Sequence, residues 1–128
     1  MIVDSSALVA IVMAEPGFEA LLASMLAAST RGIGTPTLLE TLIVLTRRLQ
    51  ADPSPMLRAL LHEMQVEVIP FTEEHCLAAL SAFLRFGKSR HPAALNFGDC
   101  IAYAVASVAG EPLLYVGEDF ARTDIGAA

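Results

Sequence analysis

Basic residues are scarce in this chain: eight Lys and Arg stand against fourteen Asp and Glu, giving a net charge of −6 at pH 7 and a pI near 4.9. That balance excludes broad, charge-driven binding to a phosphate backbone, so any work on nucleic acid would need bound cations. Cysteine is almost missing. Cys76 and Cys100 both fall in apolar helical pattern and read as buried free thiols, which excludes a disulfide framework and offers no redox chemistry. Histidine is equally sparse, and no His or Cys cluster has zinc-site spacing. The pair His62-Glu63 lacks the second histidine of a zinc protease motif, since Val66 stands where it would fall. His75 is expected at the surface or at a helix end.

Long hydrophobic runs are missing too. The best candidate, Ala7 to Ala14, is far short of the ~18 residues that a membrane span requires. The first residues include Asp4 rather than the basic residues of a signal peptide, so a soluble, cytoplasmic protein with no membrane partner is expected. No Pro, Gly or Ser tract divides the sequence and no repeat or low-complexity segment interrupts it, so residues 1–128 are expected to form a single domain. What the chain has in excess is apolar surface. Hydrophobic residues make up 55% even without the eight glycines, against about 45–50% for an ordinary domain with glycine counted. That excess points to a buried interface with another subunit or partner.

The pattern along the chain alternates strand and helix. Met1 to Val3 suit a buried parallel strand, and Ser5 or Ser6 can cap the helix that follows. Pro16 and Gly17 break that helix, and Phe18 to Ala28 resume one with Leu21, Leu22, Met25 and Leu26 on a single face. Arg31 to Gly34 is a short strand candidate weakened by its two glycines. Thr35-Pro36 starts a helix in which the threonine is expected to cap, and residues 54–65 form the next helix. Val66 to Ile69 is a strand, Thr72 caps a helix through Phe86, and Leu113 to Val116 is the last strand. This order predicts an α/β fold: a parallel central sheet of four or five strands with helices on both faces.

Four separated acids stand out against that frame. Asp4 ends the first strand, at the edge where open parallel sheets bind ligands. Glu40 lies in the second turn of a helix whose leucines and Ile43 make most of its faces apolar, which leaves an acid in otherwise buried surroundings. Asp99 falls in the first turn of a helix entered through Asn96, Phe97 and Gly98, where a dipole contribution of about 0.3–1 kcal/mol is its minimal role. Glu118 and Asp119 follow the last strand. Clustered carboxylates raise one another's pKa and persist mainly where cations neutralise them. Hard oxygen donors without His or Cys point to Mg²⁺, with Mn²⁺ possible. One or two such ions can activate a water and stabilise the leaving oxygen of an in-line displacement. Asp4, Asp99 and one of the acids after the last strand, Glu118, Asp119 or Asp124, are the expected ligands, with Glu40 a ligand or an orienter of the attacking water. Ser6 and Thr123 are expected to support them.

The blocks IVDSSALVAI (2–11), TPTLLE (35–40), HPAALNFGDCIAYAVA (91–106) and GEDFARTDI (117–125) resemble the VapC toxins of the PIN-domain ribonucleases over nearly the whole chain. The resemblance implies a PIN-like fold and divalent-metal-dependent endoribonuclease activity carried by Asp4, Glu40, Asp99 and Asp119. It also implies an RNA substrate, a cognate VapB antitoxin whose C-terminal segment covers the site, and a homodimer. Family pattern favours Asp119 as the fourth acid, while Glu118 and Asp124 remain open as contributors.

Arg85, Lys88 and Arg90 put three of the eight basic residues within six positions, just before the Asp99 segment. They either guide RNA phosphates or form a solvated loop, and Arg47 and Arg48 could serve likewise. His91 either stacks on a base or caps the loop. Two rival enzyme readings are disfavoured. A Mg²⁺-dependent phosphatase usually shows Asp-x-Asp after its first strand, where this chain has Asp4-Ser5-Ser6. A phospho-accepting receiver domain needs a lysine after a late strand, and the only lysine is Lys88. A catalytically silent binding module remains the third alternative.

Overall fold

A computed structural model describes all 128 residues. In chain order the elements are β1 (Ile2–Val3), α1 (Ser5–Val12), α2 (Phe18–Ala27), β2 (Gly32–Gly34), α3 (Thr35–Leu49), α4 (Ser54–Glu63), β3 (Glu67–Ile69), α5 (Glu73–Phe86), α6 (Phe97–Ala109) and β4 (Leu113–Leu114). A single 3₁₀ turn over Phe120–Arg122 follows. The four strands are all parallel in the order β3-β2-β1-β4. No helix is long and apolar enough to cross a membrane.

Side chains on a strand alternate between faces, and here that alternation sorts the core into two layers. Val3 and Leu114 point to the side where Leu8, Met25, Leu45, Leu57 and Leu61 of α1 to α4 pack. Ile2 and Leu113 point to the other, against Ala82 of α5 and Cys100, Tyr103 and Val105 of α6. Helices therefore cover both faces, which is why β1 and β4, buried in the core, can be apolar throughout, while β3 at the sheet's edge exposes Glu67 and Val68. The glycines that weakened β2 as a strand candidate have a packing reason. A Cβ at Gly34 would lie 2.8 Å from Val105 Cγ2, so α6 can sit this close only over a bare backbone.

Several local expectations need correction. Gly34, not Thr35, is the N-cap of α3, because the chain passes from β2 into the helix without a loop. Thr35 Oγ1 instead accepts a hydrogen bond from Phe71 N at 3.3 Å. On α3, Leu39, Ile43 and Leu49 are exposed, so that helix is less buried than its composition suggests. The last strand ends at Leu114 rather than Val116, since Val116 N donates to Ser6 Oγ instead of to a neighbouring strand. Cys76 is exposed and only Cys100 is buried. His75 is helix-terminal but buried: its Nδ1 accepts from Thr72 N at 3.0 Å, closing a capping box at the start of α5.

Candidate active site

The strand order places β2 and β3 on one side of β1 and β4 on the other, so the sheet's switch point lies between β1 and β4, at the edge where chains leave both strands. Asp4 leaves β1 at that point. It is buried (6% exposed) and is the N-cap of α1, accepting hydrogen bonds from Ser6 N (3.0 Å) and Ser6 Oγ (2.5 Å). Ser6 Oγ in turn accepts from Val116 N at 3.0 Å. One hydroxyl thus ties the acid after β1 to the chain leaving β4. The cap that Ser5 or Ser6 was expected to supply is Asp4 itself, so capping and site placement coexist in one carboxylate.

Ser5 is free for another task. Its hydroxyl donates to Glu40 Oε1 at 2.8 Å, bridging α1 to α3. The Glu40 carboxylate lies against the backbone of Gly98, where any Cβ would intrude on Oε2 well inside contact distance. A residue other than glycine would push Glu40 away from the mouth of α6. Asp99 sits one position further on, in a reciprocal capping box. Asn96 Oδ1 accepts from Asp99 N at 2.9 Å, and Asp99 Oδ2 accepts from Asn96 N at 3.0 Å.

The electrostatics join these acids to a fourth. The Asp99 carboxyl is pushed up from 3.8 to about 6, first by burial, then by the negative charges of Asp4, Asp119 and Glu40, against the opposing hydrogen bond from the Asn96 backbone. Burial also raises Asp4; Ser6's hydrogen bonds oppose that, and the charge of Glu40 adds to it. Asp119 is exposed and stands at the entry to the 3₁₀ turn, with Glu118 exposed beside it. Asp124 is turned elsewhere, to Tyr103 and Arg85. Thr123 Oγ1 donates to Phe120 O (2.7 Å) and accepts from Ile125 N (3.2 Å), which shapes the turn that presents Asp119.

The donor set is four carboxylates with serine hydroxyls beside them, all hard oxygen, which suits Mg²⁺ or Mn²⁺ and not a soft metal. No three of the chain's Asp, Glu, His or Cys side chains close onto a common ligand point.

The basic segment divides. Arg85 is committed to an ion pair with Asp124 at 2.5 Å and lies over the Phe86 ring. Arg90 stacks over Phe83 at 5.4 Å and Lys88 is exposed; neither pairs with an acid. His91 caps the loop, its Nδ1 accepting from Ala93 N at 3.0 Å. Sequence reasoning missed Ser5 and Gly98 as partners of Glu40. The doubled serine after Asp4 was the available signal, since one short helix start does not need both hydroxyls.

The PIN domain family matches residues 1–126. The chain is 48% identical over 126 residues to "Ribonuclease VapC36" of Mycobacterium tuberculosis, covering 98% of this chain and 91% of that protein. It is 41% identical over 127 residues to "Ribonuclease VapC" of Mycolicibacterium smegmatis, covering 99% and 98%. Among solved structures, Mycobacterium tuberculosis VapC20, described as a sarcin-ricin loop cleaving toxin, superposes with a TM-score of 0.79 at 20% identity, covering 99% of this chain and 97% of that one. A chain of a toxin-antitoxin complex from Klebsiella pneumoniae gives 0.72 at 14% identity, covering 96% and 92%.

Proposed function

This chain belongs to the PIN domain family, among the VapC ribonucleases, and from that footing we propose that it is a Mg²⁺- or Mn²⁺-dependent endoribonuclease, the toxin of a toxin-antitoxin pair. The observation that carries the reading is the tie of Asp4 to the β4 exit through Ser6, of Glu40 to α1 through Ser5, and of the Glu40 carboxylate to the mouth of the helix that bears Asp99, with Asp119 on the loop that leaves β4. Asp4, Asp99 and Asp119 would hold the ion, with Glu40 completing the set or orienting the attacking water. When bound, the ion supplies charge neutralisation for an in-line attack on the RNA phosphodiester. The chain's own part is positional. Ser6 holds Asp4 and the β4 exit together, Ser5 aims Glu40, and Gly98 leaves room for the Glu40 carboxylate beside Asp99.

The partners follow from the same reading. RNA is the substrate, cut in the cytoplasm, and a VapB-type antitoxin covers the acidic site with its C-terminal segment. The homodimer expected from the apolar excess has a candidate face: α5 exposes Leu77, Leu80 and Leu84 along one stripe, and Phe97, 84% exposed, extends it across an apolar groove of about 450 Å³.

The test is incubation of mixed RNAs with Mg²⁺ and with EDTA, for wild type and Asp99→Asn. Cleavage in Mg²⁺ by wild type alone is expected. Cutting that survives both EDTA and the substitution would sink the reading, and a protein that binds RNA without cutting would make it a silent module.

A further inference from the structure

Asp119 is carried by a segment with little regular structure of its own, yet its distance from Asp99 must be held if both are to serve one ion. Backbone bonds between Leu113 and both Gly126 and Ala128 hold its far end to β4, and three side-chain interactions hold the rest. Phe120 is buried against Tyr115 (5.0 Å between ring centroids), and Arg122 donates to Pro92 O. The third is a polar cluster. Tyr103 Oη donates to Asp124 Oδ1 at 2.5 Å, and Arg85 Nη2 donates to Asp124 Oδ2 at 2.5 Å. Tyr103 is itself buried, and it stands four residues after Asp99, one turn along the same face of α6. The Tyr103–Asp124 hydrogen bond therefore links the helix that presents Asp99 to the loop that presents Asp119. Arg85, also within 3.4 Å of Tyr103 Oη, balances the Asp124 charge and anchors the pair to the end of α5.

We infer that Tyr103, Asp124 and Arg85 form a strut of positioning residues that sets the separation of Asp119 from Asp99 and so tunes divalent-cation affinity. This rests on the site reading above. It gives Asp124 a role other than metal ligand, and Arg85 a role other than phosphate contact.

The experiment measures Mn²⁺ binding by calorimetry on the full chain, with melting curves in EDTA and the salt dependence of RNA binding alongside. Asp124→Ala should weaken Mn²⁺ by about 10-fold, the low end for residues supporting metal ligands. Asp124→Asn should cost less, because its amide oxygen still accepts from Tyr103, and should serve if the alanine variant does not fold. Adding Tyr103→Phe to Asp124→Ala should cost nothing further, since both remove the same hydrogen bond. Arg85→Ala should weaken Mn²⁺ while leaving the RNA salt slope unchanged.

Variants that bind Mn²⁺ as wild type does, while wild type binds it well, overturn the strut alone. Loss of all Mn²⁺ binding in Asp124→Asn, as in Asp119→Asn, would make Asp124 a ligand instead. A lowered salt slope in Arg85→Ala would return that residue to phosphate contact. Wild type that binds no Mn²⁺ overturns the site reading and the strut with it.

Discussion

Asp99→Asn separates a carboxylate placed for chemistry from one placed only to complement a helix. The folded Asp99 carboxyl holds its proton up to about pH 6, against an ordinary value of 3.8, with burial the first cause and the charges of Asp4, Asp119 and Glu40 behind it. Between those values the folded state binds more protons than the unfolded one, so stability falls as pH rises through the window. Below it both states are protonated and the penalty vanishes; above it the penalty is fully present. The rise from 3.8 to about 6 corresponds to roughly 3 kcal/mol. The group is only partly buried, so solvent screening reduces that to about 1–2 kcal/mol.

Asparagine removes the charge yet can still accept from Asn96 N, while forfeiting about 0.3–1 kcal/mol of dipole interaction. A net gain of about 1 kcal/mol remains, a rise in melting temperature of about 3–5 °C for a chain of this length. The assay is thermal melting of both proteins in EDTA at about pH 7.5, where proton linkage makes the gain largest, and at about pH 3, below the window, where it is close to zero. Millimolar Mg²⁺ near neutral pH should then stabilise wild type more than the variant, by preferential binding to the folded state. A variant that melts below wild type in EDTA near neutral pH, or a difference that does not shrink on acidification, would mean that Asp99 acts as a cap and not as a repelled site acid.

Gly98→Ala should abolish RNA cleavage without unfolding the chain, because the new Cβ displaces the Glu40 carboxylate while alanine suits a helix better than glycine; an active variant would show that Glu40 need not lie at the α6 mouth. Replacing Lys88 and Arg90 by alanine should weaken RNA binding and reduce the slope of log affinity against log salt by about 0.7 for each single-strand phosphate that the protein no longer neutralises, and an unchanged slope would return the loop to bulk solvent. Leu80→Glu, on the exposed stripe of α5, should convert a dimer to a monomer in sedimentation equilibrium; a variant that stays dimeric places the interface elsewhere, and a monomeric wild type at micromolar concentration ends the expectation.

The parts of this molecule that could be read from its sequence are those set by local chemistry. The alternation of apolar strands and capped helices gave the layers, because period and capping act within a few residues. Asn96 before Gly98 and Asp99 announced the start of α6 for the same reason. Contacts made across the sheet were invisible. Nothing near Arg85 shows that Asp124, 39 positions later, will take its guanidinium, and a basic residue in a basic run reads as a phosphate guide until that partner is known. Burial of His75 and exposure of Cys76 were misjudged because adjacent residues on a helix point in directions about a quarter-turn apart, and only the packing of α5 decides which is covered. The length of β4 depended on Ser6, 110 positions away from Val116.

Two of the four acids lie at helix N-termini, and that placement answers a question the sequence posed as a choice. Asp4 caps α1, Asp99 is in the first turn of α6, and Glu40 is pressed against the α6 entry at Gly98. Free N–H groups and the positive end of the dipole make such points favourable for negative charge. A cluster of repelling carboxylates is therefore less costly there than on a strand or a loop, and the same bonds that cap the helices hold the acids in place. Substitutions at Asp4 can divide the two contributions. Asparagine is as good a cap as aspartate and keeps the bond from Ser6 N, so Asp4→Asn in EDTA near neutral pH should melt at or above wild type, relieved of a buried charge facing Glu40. Asp4→Ala loses the cap as well and should be less stable than Asp4→Asn by about 0.5–2 kcal/mol. Both should be equally dead as nucleases. An Asp4→Asn protein that still cuts RNA would show that Asp4's work is the cap alone; one that melts as low as Asp4→Ala would show that the carboxylate's charge, and not its hydrogen bonds, holds the start of α1.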